Sequence, residues 1–131
     1  MAYSALLELE GKKFKVRHCS YSLHQNLDEN GRPTTNVMGG TINCEIESSD
    51  DDTILNWMVD PVGKKSGSIV FMKTSEEGEM KKVGFDDAFC TSYTETMNSL
   101  SNEPMVEHII ISAQKLTANG VAHENVWESR M

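Results

Sequence analysis

No stretch of this 131-residue chain approaches the ~18 consecutive apolar residues of a membrane span, so stable membrane insertion is not expected. Basic residues are also scarce. Twelve Lys and Arg against 20 Asp and Glu leave a formal charge of −8. Nucleic-acid binding needs a basic stripe, so no nucleic-acid partner is expected, and acidity alone says only that the chain repels itself. The opening Met1-Ala2-Tyr3-Ser4-Ala5-Leu6-Leu7-Glu8 has no basic leader, which predicts no signal peptide. Cytoplasmic folding follows, and any export needs a route that accepts folded protein. Cysteines number three, at Cys19, Cys44 and Cys90, without the paired spacing of metal ligands. They read as buried free thiols under the cytosolic rule. A phosphate-binding glycine loop is missing too, because Gly39-Gly40 and Gly63 lack the required neighbours.

What is present is organised around the stretch from Phe14 to Ser48. Its first half has apolar residues at even positions, Phe14 and Val16, and then at odd ones, Cys19, Tyr21 and Leu23. A change of parity inside a strand marks a β-bulge. The second half alternates Ile42, Cys44 and Ile46 with Thr41, Asn43, Glu45 and Glu47, the pattern of a half-buried antiparallel strand. Between them lies a polar tip: Asn26, Leu27, Asp28, Glu29, Asn30, Gly31, Arg32, Pro33, Thr34 and Thr35. Asn30-Gly31 is a turn signal, and Pro33 is expected to hinder ladder pairing close to the turn. Gly39-Gly40 predicts a second bulge or a close backbone approach. The hairpin is longer than compactness requires, which makes its tip the candidate contact surface.

Ahead of it, Ala5, Leu7 and Leu9 alternate into a first strand that turns at Glu10-Gly11. Behind it, Asp50-Asp51-Asp52 opens a short helix over about 52–59, with one aspartate as its cap and Ile54, Leu55 and Met58 as its apolar stripe. Two turns are too short to stand alone, so the helix must pack on sheet. Strands are predicted over Ser68–Thr74, Met80 to about Met97 with a break near Asp86-Asp87, and Met105–Leu116. Ser75-Glu76-Glu77-Gly78 is read as a turn, and Ile109-Ile110-Ile111 as burial on both faces. The tail from Ala118 to Trp127 shows no clear period. The fold class is mainly β: a bent antiparallel barrel of two curled sheets with one short helix, in a single domain over 1–131.

No catalytic constellation is visible. His18 and Cys19 are strand neighbours and point to opposite faces, while His18 and His24 stand about 20 Å apart along a straight strand. His123-Glu124 begins like a zinc-protease motif, but Trp127 occupies the place of the second histidine. The three aspartates at 50–52 lack the ligand pattern of a calcium loop. The residues therefore argue for no enzyme, no metal and no cofactor. They leave open a monomeric β-barrel that binds a small ligand in its mouth.

Taken together, the chain resembles the tube-forming protein of type VI secretion, the haemolysin-coregulated protein (Hcp, TssD) family, in a divergent branch. The resemblance runs through Leu7-Glu8-Leu9-Glu10-Gly11-Lys12, His18 to Gln25, Asp28, Gly31-Arg32-Pro33, Gly39-Gly40-Thr41-Ile42 and Glu45-Ile46-Glu47-Ser48. It continues in Trp57-Met58, Ala88-Phe89-Cys90, Pro104-Met105, Ile111-Ser112-Ala113 and His123-Glu124-Asn125. It implies a bent β-barrel with a flanking helix, six copies in a ring, and rings stacked into a hollow tube. A contractile sheath would expel that tube with its spike from a baseplate, with small effectors sheltered in the lumen of some members. No fused effector is expected after Trp127. The stretch Leu27–Thr35 becomes the candidate ring-stacking loop, with Arg32 facing acidic groups of the next ring and Pro33 stiffening the arm. A contractile-phage tail tube protein shares this physical logic.

Overall fold

The computed structural model describes residues 3–34, 37–73, 79–100 and 102–125. Seven strands and one helix follow in the order β1 (Tyr3–Leu9), β2 (Lys12–His24), β3 (Met38–Glu47), α1 (Thr53–Val59), β4 (Lys65–Lys73), β5 (Glu79–Thr96), β6 (Val106–Ala118) and β7 (Val121–Glu124). They form one antiparallel sheet in the order β3-β2-β1-β4-β5-β6-β7, and an additional β3–β6 pairing closes the first six into a barrel. The two curled halves expected from the sequence are thus one continuous ribbon. Strand β6 makes this possible by dividing one edge between two partners. Its Val106–Ser112 pairs with β3, and its Lys115–Ala118 pairs with β7. The turn read at 75–78, and the segment beyond Asn125, lie outside the described residues.

The parity change in β2 is a real irregularity: its register with β3 shifts between Val16 and His18. A second shift falls between Ser22 and Leu23, opposite Gly39-Gly40. Both glycines have positive φ, 138° and 83°. A Cβ on Gly39 would stand 2.5 Å from the Ser22 carbonyl oxygen, and one on Gly40 would stand 2.9 Å from that of Ala113. These two positions need glycine both for conformation and for space. The expected break at Asp86-Asp87 is a bulge inside an unbroken β5. Register with β4 shifts there, Asp87 has φ 51°, and its N–H donates to Ser66 Oγ at 3.1 Å.

The barrel is filled by its inward residues, among them Leu7, Leu9, Ile42, Ile46, Ile69, Val83, Phe85, Ile109 and Ile111. Ile110 is half-buried, so the isoleucine triplet buries two side chains inward and leaves the third on the outer face. Helix α1 packs its Ile54 and Trp57 on the core, with Met58 partly buried beside them. Leu55 is exposed, so the stripe is Ile54-Trp57-Met58, the i, i+3, i+4 set of a helix face. Trp57 is the pin. Its ring stacks on Phe85 with centroids 6.3 Å apart, and its Nε1–H donates to the carbonyls of Gly63 (3.1 Å) and Ala88 (3.2 Å). At the helix start the Asp51 carboxylate accepts the Thr53 N–H at 2.8 Å, while Asp52 makes no side-chain cap.

Tail residues without a visible period form β7, because Asn119-Gly120 turns β6 back on itself. Both residues have positive φ, 52° and 78°, as Glu10-Gly11 do between β1 and β2 at 52° and 77°. An Asn-Gly pair is the strongest short hairpin signal, and here it joins β6 to β7. Four residues are too few for a period to show.

Candidate assembly arm

Beyond His24 the hairpin of β2 and β3 runs on as an arm whose residues 24–34 are all exposed. Its tip is organised by its own backbone. Asp28 N–H donates to the Arg32 carbonyl at 2.9 Å, Gly31 N–H to the Asp28 carbonyl at 3.1 Å, and Thr34 N–H to the Asn26 carbonyl at 2.8 Å. Leu27 and Pro33 form an isolated antiparallel bridge between those bonds. Proline fits here because both ladder hydrogen bonds come from the flanking pairs, so its missing N–H leaves nothing unmade. Pro33 therefore takes part in the pairing that the sequence suggested it would hinder. The Asp28 carboxylate closes the turn from inside: its Oδ1 accepts the N–H groups of Asn30 and Arg32, each at 2.9 Å. Such an Asx arrangement substitutes for burial as the source of order. In the turn Gly31 takes the left-handed conformation, φ 81°, and Asn30 does not.

With the turn held by these internal bonds, most of its side chains are left exposed. Leu27 is 62% exposed, and Glu29, Asn30 and Arg32 are exposed around it. Of the candidate loop, Leu27 to Thr34 are thus brought together on one tip, and Thr35 lies outside the described residues.

The root of the arm is braced from the other end of the chain. Asn125 donates through Nδ2 to the carbonyls of Gly39 (2.7 Å) and Ala113 (3.1 Å), and its own N–H donates to the Gln114 carbonyl at 2.7 Å. His123 Nε2 is 3.0 Å from Asn125 Oδ1. The His123-Glu124-Asn125 run, which looked like a failed metal motif, is a clamp on the Gly39-Gly40 bulge. Sequence reasoning missed that role because its partner lies 86 positions away.

The histidines considered for chemistry, His18, His24 and His123, do not come together. His18 and His108 are exposed on the outer face, each opposite Glu45 on β3, while His24 begins the arm. Among the described residues no group of three His, Cys, Asp or Glu is placed to hold a metal. Glu107 is the one acid among the buried polar residues described. Burial and the neighbouring Glu95 charge raise its pKa, and burial and Glu107 push the Tyr93 hydroxyl up to about 12. No described helix is long and apolar enough to cross a membrane.

A barrel packed with its own side chains, carrying a self-supporting arm, has the parts of a structural protein. Comparison with known proteins says which kind. The family model described as hemolysin coregulated protein Hcp (TssD) matches residues 1–128. The structure of Hcp1 from Flavobacterium johnsoniae is similar at 34% identity and a TM-score of 0.88, covering 93% of this chain and 99% of that one. Hcp1 from Salmonella typhimurium shares the fold at 13% identity, with a TM-score of 0.74 and coverage of 94% and 92%. So does a chain of the PVC sheath–tube complex of an extracellular contractile injection system, at 18% identity, a TM-score of 0.60 and coverage of 92% and 91%. None of the curated proteins matches the sequence. The chain belongs to the haemolysin-coregulated protein (TssD) family, the tube proteins of type VI secretion.

Proposed function

We propose that six copies of this chain close into a ring, that rings stack into the inner tube of a contractile secretion machine, and that the arm makes the contact between successive rings. A closed ring needs heterologous contacts, and a tube needs a second contact along its axis. The observation that carries the reading is the arm tip. Its backbone is bonded to itself and to the Asp28 carboxylate, so Leu27 and Arg32 are presented at little ordering cost. Arg32 pairs with acidic groups of the next ring, and Leu27 to Thr35 form the contact surface. The further partners are the sheath, the spike and the baseplate, with small effectors as lumen cargo. The subunit is held in the cytoplasm until the machine expels it.

Charge opposes this assembly. Six copies at −8 carry a formal −48 per ring, so stacking strengthens as salt screens the repulsion. Arg32→Glu tests the axial contact: the variant keeps its melting temperature and its rings but loses tubes in negative-stain images and in sedimentation. Functional tubes from this variant would remove the role of Arg32. A wild-type chain that stays monomeric at high concentration would overturn the whole reading, and a tube population that falls with added salt would overturn the charge argument.

A further inference from the structure

Two of the three thiols face each other. Cys19 on β2 and Cys44 on β3 are directly opposed in the antiparallel ladder, and both are free. Opposed residues share a face, with Cα atoms about 4.5–5.5 Å apart, inside the range of about 4.4–6.8 Å that a disulfide spans. The shared face is the barrel interior. Cys44 is 3% exposed, Cys19 packs partly buried against the same core, and the two thiols are in hydrogen-bonding contact. Cys90 stands apart on β5, opposite Ile111, with its thiol directed at the Ser92 carbonyl 3.5 Å away.

Cys19 is the more accessible of the two. Cys19 lines a surface depression of about 140 Å³ together with Val16, Arg17 and Phe71. Position matters as well: the pair lies just past the Val16–His18 bulge, and from it β2 and β3 run outward to the arm. A bond here would tie the root of the arm across residues 20–43.

We propose that Cys19 and Cys44 form a redox modification site, closing into an intrachain disulfide on meeting a small-molecule disulfide. Cys19 attacks first. The Cys44 thiol hydrogen-bonds to it and lowers its pKa, whereas that same bond and burial raise the pKa of Cys44. The Cys19 thiolate attacks one sulfur of the small disulfide, breaking its S–S bond and expelling one small thiolate. Cys44 then attacks the Cys19 sulfur of the mixed disulfide and expels the second. The two protons of the cysteines pass to the two departing thiolates. Two protein thiols are thus oxidised by two electrons, and one small disulfide is reduced to two thiols. In a reducing cytoplasm the pair stays open, and in an oxidising compartment it closes. That timing rests on the proposed export, whereas the closure itself does not.

The test is intact-mass analysis of the reduced, folded protein after incubation with oxidised glutathione. Wild type and Cys90→Ser lose two hydrogens without a lasting adduct, and cleavage inside residues 20–43 leaves fragments joined through Cys19 and Cys44. Cys44→Ser stops at a stable glutathione adduct on Cys19, and Cys19→Ser does not close. Circular dichroism confirms that each variant is folded. Wild type that only accumulates glutathione adducts, closes through Cys90, or closes only in denaturant would overturn the site. Failure of closure leaves tube assembly untouched, and a chain that closes yet remains monomeric would sink the tube reading alone.

Discussion

Around Trp57 the chain is ordered by burial: ring on ring with Phe85, an indole N–H shared by two carbonyls, and a helix too short to exist without the sheet beneath it. At the arm tip nothing is buried, and order comes from the backbone bonds between Asn26 and Thr34 and the single carboxylate of Asp28. The two regions of one polypeptide use opposite means. A barrel wall spends its side chains on its own interior. An arm that holds its shape through its backbone keeps its side chains for another molecule. The difference explains why the residues most informative about fold and those most informative about assembly do not overlap.

Substitutions can break this contrast in graded steps. Trp57→Ala should have the largest effect, a loss of about 3–5 kcal/mol in urea unfolding, because it empties a fully buried site and orphans two carbonyls. If it costs less than about 1 kcal/mol, the helix is not pinned as described. Gly40→Ala should cost about 1–3 kcal/mol, since φ 83° and the Ala113 carbonyl leave no room for a Cβ. Hydrogen exchange would place that damage at the root of the arm, near Asn125. Asp28→Ala should cost only about 1 kcal/mol, confined to the tip. Its signature is faster exchange at the Asn30 and Arg32 amides with an unchanged barrel. Barrel unfolding in this variant would mean that the arm is not self-supporting.

The smallest effect concerns pH. The Lys12 ammonium, 2.8 Å away, and the Thr53 hydrogen bonds hold the Asp51 carboxyl at about 2, below its ordinary 3.8. A depressed folded pKa contributes stability above the ordinary value and loses it as pH falls toward about 2. Glu107 acts with the opposite sign: its raised pKa penalises the charged form, so the fold gains as pH falls through that value. Asp51→Asn should therefore flatten the acid limb of a stability profile, and Glu107→Gln should raise stability near neutral pH. An unchanged acid limb in Asp51→Asn would show that the Lys12 contact contributes nothing measurable.

Much of the barrel was legible from local pattern. Alternation in Ile42-Cys44-Ile46 and the parity change between Val16 and Cys19 are consequences of a two-residue period, which sequence displays directly. The helix was visible too, although its stripe was misassigned at Leu55, which faces solvent beside the Ile54-Trp57-Met58 set. The brace of Asn125 on Gly39 was not legible, nor was the division of β6 between two partners. Both join residues far apart in the chain, where no local period connects them.

By itself the sequence determined which residues alternate, where the chain must bulge or turn, and that copies of the chain repel one another by charge. Period, φ preference and charge are local quantities, carried by each residue wherever it goes. Only the tertiary structure decided that the ribbon closes through β3 and β6, that Cys19 meets Cys44, and that Pro33 pairs with Leu27. Those outcomes depend on register between strands, which is fixed by the packing of the whole barrel and by no segment alone.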